Sequence, residues 1–318
     1  MRLSFVAVVF SLMLIEAHCG FRVQSIKKGK TTFIELKGLA AYYGFSFRRV
    51  RTGKELISRG DRNFIFDSKE RFMISNRSKV FLQTRPILEK GALYVSKLDY
   101  SKLIDPVMRD RIKAKKRRIK TIVLDPGHGG KDHGAQGSHI TEKKYALQFS
   151  IKLKKNLERL GFTVYLTRYS DRFPSFSARA NHVKKFKADL FLSVHVNATV
   201  SKKIKGIETF HFTPLGGKSS NGSPVRKKWA KGDTYQKQSA RLAYEIHRQL
   251  ISYTKATDRG AKFANFKVLR EASCPSALLE LGFLSNKTEE QKLLSKSYQD
   301  KLLKGIAYGV YYYSKALK

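Results

Sequence analysis

Two histidines and two glutamates in the sequence have side chains that could bind a metal ion or transfer protons. His128 lies in "VLDPGHGGKDHGAQG", where an apolar run ends in a Pro-Gly turn and further glycines follow. His195 comes late in the apolar run "ADLFLSVHVN", Glu280 interrupts "PSALLELGFL", and Glu142 opens a helical segment. Imidazole nitrogens and carboxylate oxygens are common metal ligands and common general acids and bases. Their joint role depends on where the secondary structure places them.

From Thr121 onward, short apolar runs alternate with segments of helical periodicity. The runs "TIVLD", "FTVYLT", "ADLFLSVHVN", "GIETFHF" and "PSALLELGFL" predict strands, and segments such as "EKKYALQFSIKLKKNLERLG" predict the helices between them. This alternation predicts an α/β fold, a mostly parallel sheet with helices on both faces. Ligands of such sheets bind beyond the carboxyl ends of the strands. We therefore expect His128, His195 and Glu280 at one edge of the sheet. Glu142 can reach the same edge from the start of its helix.

Each of these residues also has a purely structural interpretation when it is taken alone. A histidine on an apolar strand, such as His195, can be a buried core residue. Glu142 can be an acid that the helix dipole favours at a helix N-terminus. Glu280 lies between two leucines in a run that should be buried, and a buried carboxylate needs an opposite charge or a metal. A salt bridge to Arg259 or Arg270 is the structural alternative for Glu280. Their convergence on one edge favours a site.

The segment from about Thr121 to Lys318 resembles the zinc-dependent N-acetylmuramoyl-L-alanine amidases, the Amidase_3 family of bacterial cell-separation enzymes. The motifs that carry the resemblance occur in the family's order: "LDPGHGGKDHGAQG", "TEKKYAL", "VYLTR", "SARANHVKKFKADLFLSVHVNA", "GIETFHF" and "DRGAKFANFKVLREASCPSALLELGFLSN". The resemblance implies a zinc ion held by His128, Glu142 and His195, with Glu280 as the catalytic carboxylate.

The implied chemistry agrees with these residue types. Two imidazoles and one carboxylate leave zinc an open position for water, and zinc acidifies that water and polarises a carbonyl. Glu280 can take the proton of the water and pass it to the leaving amine. The resemblance implies peptidoglycan as the substrate. The bond cleaved is the amide between the lactyl group of N-acetylmuramic acid and the L-alanine of the stem peptide.

Five further residues near these motifs have weaker assignments. Asp125 and Asn197 flank the two histidines of the implied site, and we expect them to contact imidazole N–H groups or the substrate. His133 and His139 do not match ligand positions of the family, and we interpret them as exposed loop histidines. His211 stands where family members often carry tyrosine, so its expected role is packing or substrate contact.

The segment 213–236 departs from the compact pattern of the family. Its glycine, serine, proline and asparagine content predicts a loop. Some family members carry an insertion here that covers the zinc site until an activator protein binds. We therefore predict a mobile basic flap beside the active site, with an insertion of no regulatory effect as the alternative. Trp229, the sole tryptophan, either anchors this flap or stacks on sugar.

The chain before Thr121 is expected to contain three parts. Residues 1–20 have the basic start and short apolar run of a secretory signal peptide, with an N-terminal membrane anchor that stays attached as the alternative. Residues 21–108 predict a small strand-rich domain with one helical patch, loosely similar to the N-terminal domain of copper amine oxidases; it lacks histidine, so no copper function follows. Residues 109–120, "RDRIKAKKRRIK", predict a basic linker.

The formal net charge of +39 predicts an anionic partner. Nucleic acid would fit the charge but conflicts with export, so we expect contact with an anionic envelope and no nucleic acid. The protein is expected in the periplasm, in the cell envelope or secreted. Cys19 near the expected cleavage site is a less favoured lipid attachment point, because the residues before it are poor for a lipobox. The functional alternative to an enzyme is a non-catalytic basic protein that holds wall polymers.

Overall fold

The computed structural model describes residues 10–13, 23–114 and 118–317, and the chain divides into two compact units at Arg109/Asp110. Most of the predicted signal peptide, including Cys19, and residues 115–117 of the predicted linker lie outside the described residues. Among the described residues, the structure contains no helix long and apolar enough to cross a membrane.

The N-terminal unit consists mainly of short antiparallel strands. One sheet has the order β1-β2-β3-β10-β9 and another run of strands has the order β4-β5-β6-β7-β8. Apolar side chains that alternate along β6, such as Phe64 and Phe66, are fully buried, as half-buried strands require. A π-helical turn, Tyr100–Ile104, separates two of its short helices. The elements are β1 (Phe10–Met13), β2 (Val23–Lys28), β3 (Thr31–Glu35), α1 (Leu36–Tyr42), β4 (Ser46–Arg51), β5 (Lys54–Arg59), β6 (Arg62–Asp67), β7 (Phe72–Ser75), β8 (Ser78–Phe81), β9 (Ile87–Glu89), β10 (Ala92–Ser96), α2 (Lys97–Asp99) and α3 (Asp105–Met108).

The C-terminal unit is an α/β domain, in agreement with the fold predicted from the sequence. Its strands have the order β12-β11-β13-β16-β14-β15, and every pair is parallel except β14 with β16. The strands are β11 (Thr121–Pro126), β12 (Thr163–Leu166), β13 (Leu190–Asn197), β14 (Ile207–Phe212), β15 (Asp258–Ala264) and β16 (Ser276–Phe283). The helices are α4 (Glu142–Arg159), α5 (Phe176–Lys185), α6 (Gln236–Thr254), α7 (Lys267–Glu271), α8 (Lys287–Leu294) and α9 (Lys296–Lys315), and a 3₁₀ turn covers Lys231–Tyr235.

Helices cover both faces of this sheet because alternate strand residues are apolar on both sides. Ile122 and Leu124 of β11 join the core that contains α4, α6 and α9, whereas Val123 joins the core that contains α5 and α7. Burial on both faces stabilises each strand and leaves its carboxyl end as the part that can carry polar chemistry.

Candidate metal centre

The structure brings three candidate metal ligands, His128, Glu142 and His195 (the metal trio), together at the carboxyl edge of the sheet. His128 follows β11, His195 is the third-last residue of β13, and Glu142 is the first residue of α4. Each of the three residues offers one ligand atom, and these three atoms lie within 4.8 Å of one another. Two nitrogens and one oxygen are a donor set that suits zinc.

The carboxylate of Glu142 lies between the two imidazoles. Its Oε1 is 2.8 Å from Nδ1 of His195, and its Oε2 is 3.1 Å from Nε2 of His128. The backbone N–H groups of Ala135 and Val196 also donate to it, at 2.7 Å and 3.2 Å. Burial raises the pKa of Glu142, but hydrogen bonds with the two imidazoles outweigh burial and hold the pKa below its usual range. The carboxylate is therefore ionised and able to bind a cation.

The outer nitrogen of each imidazole has a hydrogen-bond partner that turns the inner nitrogen toward Glu142. His128 Nδ1 is 2.9 Å from Asp132 Oδ2. His195 Nε2 is 3.1 Å from Ser193 Oγ, and that hydroxyl donates to Asp125 Oδ2 at 2.9 Å. With an acceptor at its outer nitrogen, each imidazole can keep its proton there while the inner nitrogen gives up its own proton and binds a metal.

Two glycines leave the space that these side chains occupy. A Cβ at Gly127 would lie 2.6 Å from Nδ1 of His195, and a Cβ at Gly134 would lie 2.6 Å from Cδ2 of His128. Gly134 also has a φ of +63°, which any residue with a Cβ adopts at a cost. The glycines of the opening motif therefore make room for the ligand side chains, and the donor set and its surroundings fit zinc.

Two buried arginines hold the loop that carries His128, and the sequence did not identify their role. Arg179 donates to the carbonyl oxygens of Pro126 and His128 at 2.9 Å, and its guanidinium pairs with Asp125 at 2.6 Å. Arg168 donates to the Gly127 carbonyl oxygen at 2.7 Å. These contacts stabilise His128 at a φ of +60°, a strained value for a residue other than glycine. The spacing of the two arginines along the chain gave no signal of this contact.

Glu280 lies directly beside the trio on the neighbouring strand. It pairs with His195 across β13 and β16 and with Glu208 across β16 and β14. Its side chain is buried, and its Oε2 has no hydrogen-bond partner among the residues that the structure describes. Burial raises the pKa of Glu280 well above its usual value, and the nearby Glu142 and Glu208 carboxylates add to the rise.

The salt bridges considered for Glu280 go to other carboxylates. Arg259 pairs with Glu208 at 2.9 Å, and Arg270 pairs with Glu271 at 3.3 Å. Lys262 also pairs with Glu208, at 2.7 Å. Arg259 and Lys262 thus neutralise the charge of Glu208. Glu280 remains a buried carboxyl group beside the metal trio.

Asp125 and Asn197 contact the site indirectly. Asp125 reaches His195 through Ser193, and Asn197 Nδ2 donates to Glu208 Oε2 at 3.3 Å. Asp132, rather than Asp125, lies next to an imidazole. Its position four residues after His128, in the same glycine loop, was the available signal for this contact.

The other three histidines named from the sequence lie apart from the trio. His133 and His139 are exposed in the loop between β11 and α4. His211 is buried in β14, where its Nδ1 lies 3.1 Å from Gln236 Nε2. Burial lowers the pKa of His211 to about 4, so it is neutral at physiological pH.

An open cavity of about 480 Å³ gives access to the trio and to Glu280. Asp125 and Asn197 also line it, and its other walls include Phe173 and Phe176 before and in α5 and the segment Phe266–Val268 at α7. The amino group of Lys267 lies 5.4 Å from the ring centroid of Phe176. The cavity therefore combines a polar floor with aromatic walls, as ligand-binding sites do.

The segment 213–236 does not line this cavity in the part of the chain that the structure describes. Residues 213–230 form a loop tied to its surroundings by backbone bonds between Gly216 and Arg226 and from Ser220 to Phe263, and the 3₁₀ turn Lys231–Tyr235 follows it. In this conformation the segment lies against β15 and leaves the cavity uncovered, and the mobile flap beside the active site stays a prediction.

Comparison with known proteins extends this description. The family model described as N-acetylmuramoyl-L-alanine amidase matches residues 122–312. The chain is 34% identical over 195 residues to the N-acetylmuramoyl-L-alanine amidase LytC of Bacillus subtilis. The matched region covers 61% of this chain and only 35% of LytC.

Two solved structures resemble the C-terminal unit. The N-acetylmuramoyl-L-alanine amidase of Clostridium difficile 630 has 34% sequence identity and a TM-score of 0.52, with 61% of this chain and 95% of that chain covered. The CwlD amidase of Clostridioides difficile, solved in complex with the GerS lipoprotein, has 29% identity and a TM-score of 0.51, with 61% and 98% covered. The similarity lies in the unit that contains the metal trio.

Proposed function

The chain belongs to the N-acetylmuramoyl-L-alanine amidase family, and from this membership we propose that it is a peptidoglycan hydrolase. The bond it hydrolyses is the amide between N-acetylmuramic acid and the L-alanine of the stem peptide. Because the chain spans about a third of LytC, the activity of the whole protein is part of this proposal.

A zinc ion held by His128, Glu142 and His195 is the second part of the proposal. The convergent donor atoms, the outer acceptors at both imidazoles and the space beside Gly127 and Gly134 support it. Zinc bound there supplies a Lewis acid that polarises the scissile carbonyl and acidifies a water molecule. The chain's own part is to hold both imidazoles in the metal-binding tautomer and to keep Glu142 ionised.

Glu280 is the proposed general base, and its unpartnered oxygen is the observation that carries the mechanism. Oε2 is buried, has no hydrogen-bond partner among the described residues, and belongs to a side chain that lines the cavity. The carboxylate takes a proton from the attacking water and then donates it to the nitrogen of the leaving amine. The proton thus ends on the leaving amine, and Glu280 returns to the carboxylate form.

Export and partners complete the proposal. The protein acts outside the cytoplasm, at the cell envelope, where peptidoglycan is found and where its net charge of +39 favours contact with anionic polymers. An activator protein that acts at the segment 213–236 remains a proposal. It is supported by the solved complex of the CwlD amidase with the GerS lipoprotein and by the exposure of this loop.

Mass spectrometry of purified peptidoglycan after incubation with the protein tests the function. With zinc, free stem peptides that begin with L-alanine are expected. A chelator should remove this activity, and Glu280→Gln should lower the rate by roughly 10²- to 10⁴-fold. The exposed loop variant His139→Ala is the control and should keep the activity.

The same assay separates the enzyme from the non-catalytic alternative. A protein that only holds wall polymers would sediment with peptidoglycan but release no stem peptide. Full activity of Glu280→Gln would show that the proposed proton transfer is wrong.

A further inference from the structure

The sole tryptophan of the chain is presented to solvent beside a second groove of the C-terminal unit. Trp229 is 65% exposed, and neighbouring Val225 is 48% exposed. The groove has a volume of about 590 Å³ and is lined by residues 224–231 together with Asn265, Arg270 and Glu271. The indole and Val225 together give this otherwise polar groove an exposed apolar surface on which a ligand with an apolar face can pack.

The loop that carries Trp229 is held in place from below. Arg226 forms an ion pair with Asp233, and both side chains are nearly buried. The Arg226 guanidinium lies 4.2 Å from the ring centroid of Phe212, and its N–H groups donate to the carbonyl oxygens of Thr213 and Lys228 at 2.8 Å and 2.6 Å. The exposure of Trp229 is therefore a property of a fixed loop, and little conformational entropy is lost when a ligand binds.

The groove has a positive surface. Lys227, Lys228 and Lys231 are exposed around the indole. The two acidic residues of this region already pair with arginines, Asp233 with Arg226 and Glu271 with Arg270. The lysines therefore give the groove a net attraction for an anionic ligand.

One chain segment connects this groove with the cavity of the metal trio. Asn265 and Arg270 line the groove, and Phe266, Lys267 and Val268 between them line the cavity. A ligand long enough to pass along α7 can occupy both.

We propose that the groove at Trp229 is a subsite for the glycan strand of peptidoglycan, beyond the sugar whose amide is cleaved. The inference rests on the proposed function, which supplies the polymer. The indole face offers a stacking surface for a sugar ring, and the lysines face carboxylates of neighbouring stem peptides. The groove thus selects a polymeric anionic glycan over a single muramoyl peptide.

Intrinsic fluorescence tests this proposal directly, because Trp229 is the only tryptophan. The Glu280→Gln protein is titrated with soluble peptide-bearing glycan strands of at least four sugars. A saturable shift of the emission is expected, together with at least threefold weaker binding when Lys227 and Lys228 are both changed to Gln. An unchanged emission at saturating strand concentration would overturn the subsite.

Kinetics provide the second measurement. Trp229→Ala should raise KM for glycan strands on the order of tenfold, with kcat unchanged, and should leave hydrolysis of a single disaccharide peptide unaffected. Trp229→Tyr should retain most of the affinity. The control is Leu160→Ala, which removes another exposed apolar side chain, at the end of α4. Equal KM values for Trp229→Ala and wild type on strands would contradict the proposal.

The two tests fail separately from the proposed function. Binding is measured on the inactive variant, so it does not depend on hydrolysis. Hydrolysis without a fluorescence change would overturn the subsite alone, whereas strand binding with no stem peptide released by the wild type would overturn the amidase activity alone.

Discussion

Ser193 and His195 lie two residues apart on β13, and the Ser193 hydroxyl is 3.1 Å from Nε2 of the imidazole. The Ser193 hydroxyl donates to Asp125 Oδ2 at 2.9 Å, so the serine oxygen is available to accept from the Nε2–H of His195. Asp125 is in turn paired with Arg179 in the interior. This chain of contacts gives the Nε2–H of His195 an acceptor and leaves Nδ1, on the side of Glu142, as the nitrogen that can bind a metal.

Replacing Ser193 should weaken zinc binding without unfolding the protein. In Ser193→Ala, the Nε2–H of His195 loses its acceptor, and zinc affinity should fall roughly 10- to 100-fold. Competition with a chromogenic chelator measures the affinity. The control is Ser150→Ala. It removes a buried hydroxyl of α4 that has no hydrogen-bond partner among the described residues, and it should leave the zinc affinity unchanged. Equal affinities of Ser193→Ala and wild type would rule out this positioning role.

The sequence was sufficient for the family and the fold class, and it predicted that four central residues meet at one edge of the sheet. The family identification and the mostly parallel α/β fold are confirmed. His128, His195 and Glu280 could be placed because strand order in the chain and apolar runs locate the carboxyl ends of parallel strands. The zinc assignment and the role of Glu280 stay predictions.

The contacts around these residues could not be read from the sequence because they depend on strand register and on distant side chains. Glu208 lies beside Glu280 only because β14 is antiparallel to β16, which no local pattern indicates. Arg179 reaches the loop of His128 across 51 residues of chain. The position of the segment 213–236 depends on contacts such as Ser220 with Phe263, which loop composition does not specify.

A methyl group at Gly127 should disrupt the metal centre. The Cβ of Gly127→Ala would lie 2.6 Å from Nδ1 of His195, so the ring must move away from Glu142. Zinc content, measured by elemental analysis, should fall from about one ion per chain to well below half. Gly161→Ala is the control, because its φ of +87° makes alanine cost about 1 kcal/mol of stability far from the ligands. Retention of full zinc content in Gly127→Ala would contradict the fit of the site.

Removal of zinc should lower the thermal stability of the C-terminal unit. A ligand bound to the folded state stabilises by about 2.7 kcal/mol at 100 times its Kd, so a chelator should lower Tm by several degrees. In His128→Ala the chelator should have little effect, whereas His133→Ala should respond like wild type because His133 is exposed in the loop. Calorimetry with and without chelator makes the comparison. A chelator effect of the same size in His128→Ala would show that zinc binds elsewhere.

Loosening the segment 213–236 should not activate the enzyme on small substrates. Asp233→Asn weakens the ion pair with Arg226 that holds the loop, but the loop does not line the cavity. The rate on a single disaccharide peptide should stay within about twofold of wild type, and circular dichroism checks the fold. A version shortened between Gly216 and Gly232 should behave in the same way on this substrate. A large rise in rate for either variant would show that the segment restrains the site in solution.

His211 should make the stability of the C-terminal unit depend on pH. Its folded pKa is about 4, below the ordinary 6.5, so protonation favours the unfolded chain. The stability is fully present above pH 6.5 and is lost as the pH falls toward 4, which amounts to about 2 kcal/mol between pH 8 and pH 5. His211→Asn should lack this loss. Urea unfolding of both proteins with chelator at pH 8 and pH 5 measures it, because other titrating groups cancel in the difference. Equal pH dependence in the two proteins would mean that folding leaves the pKa of His211 at its ordinary value.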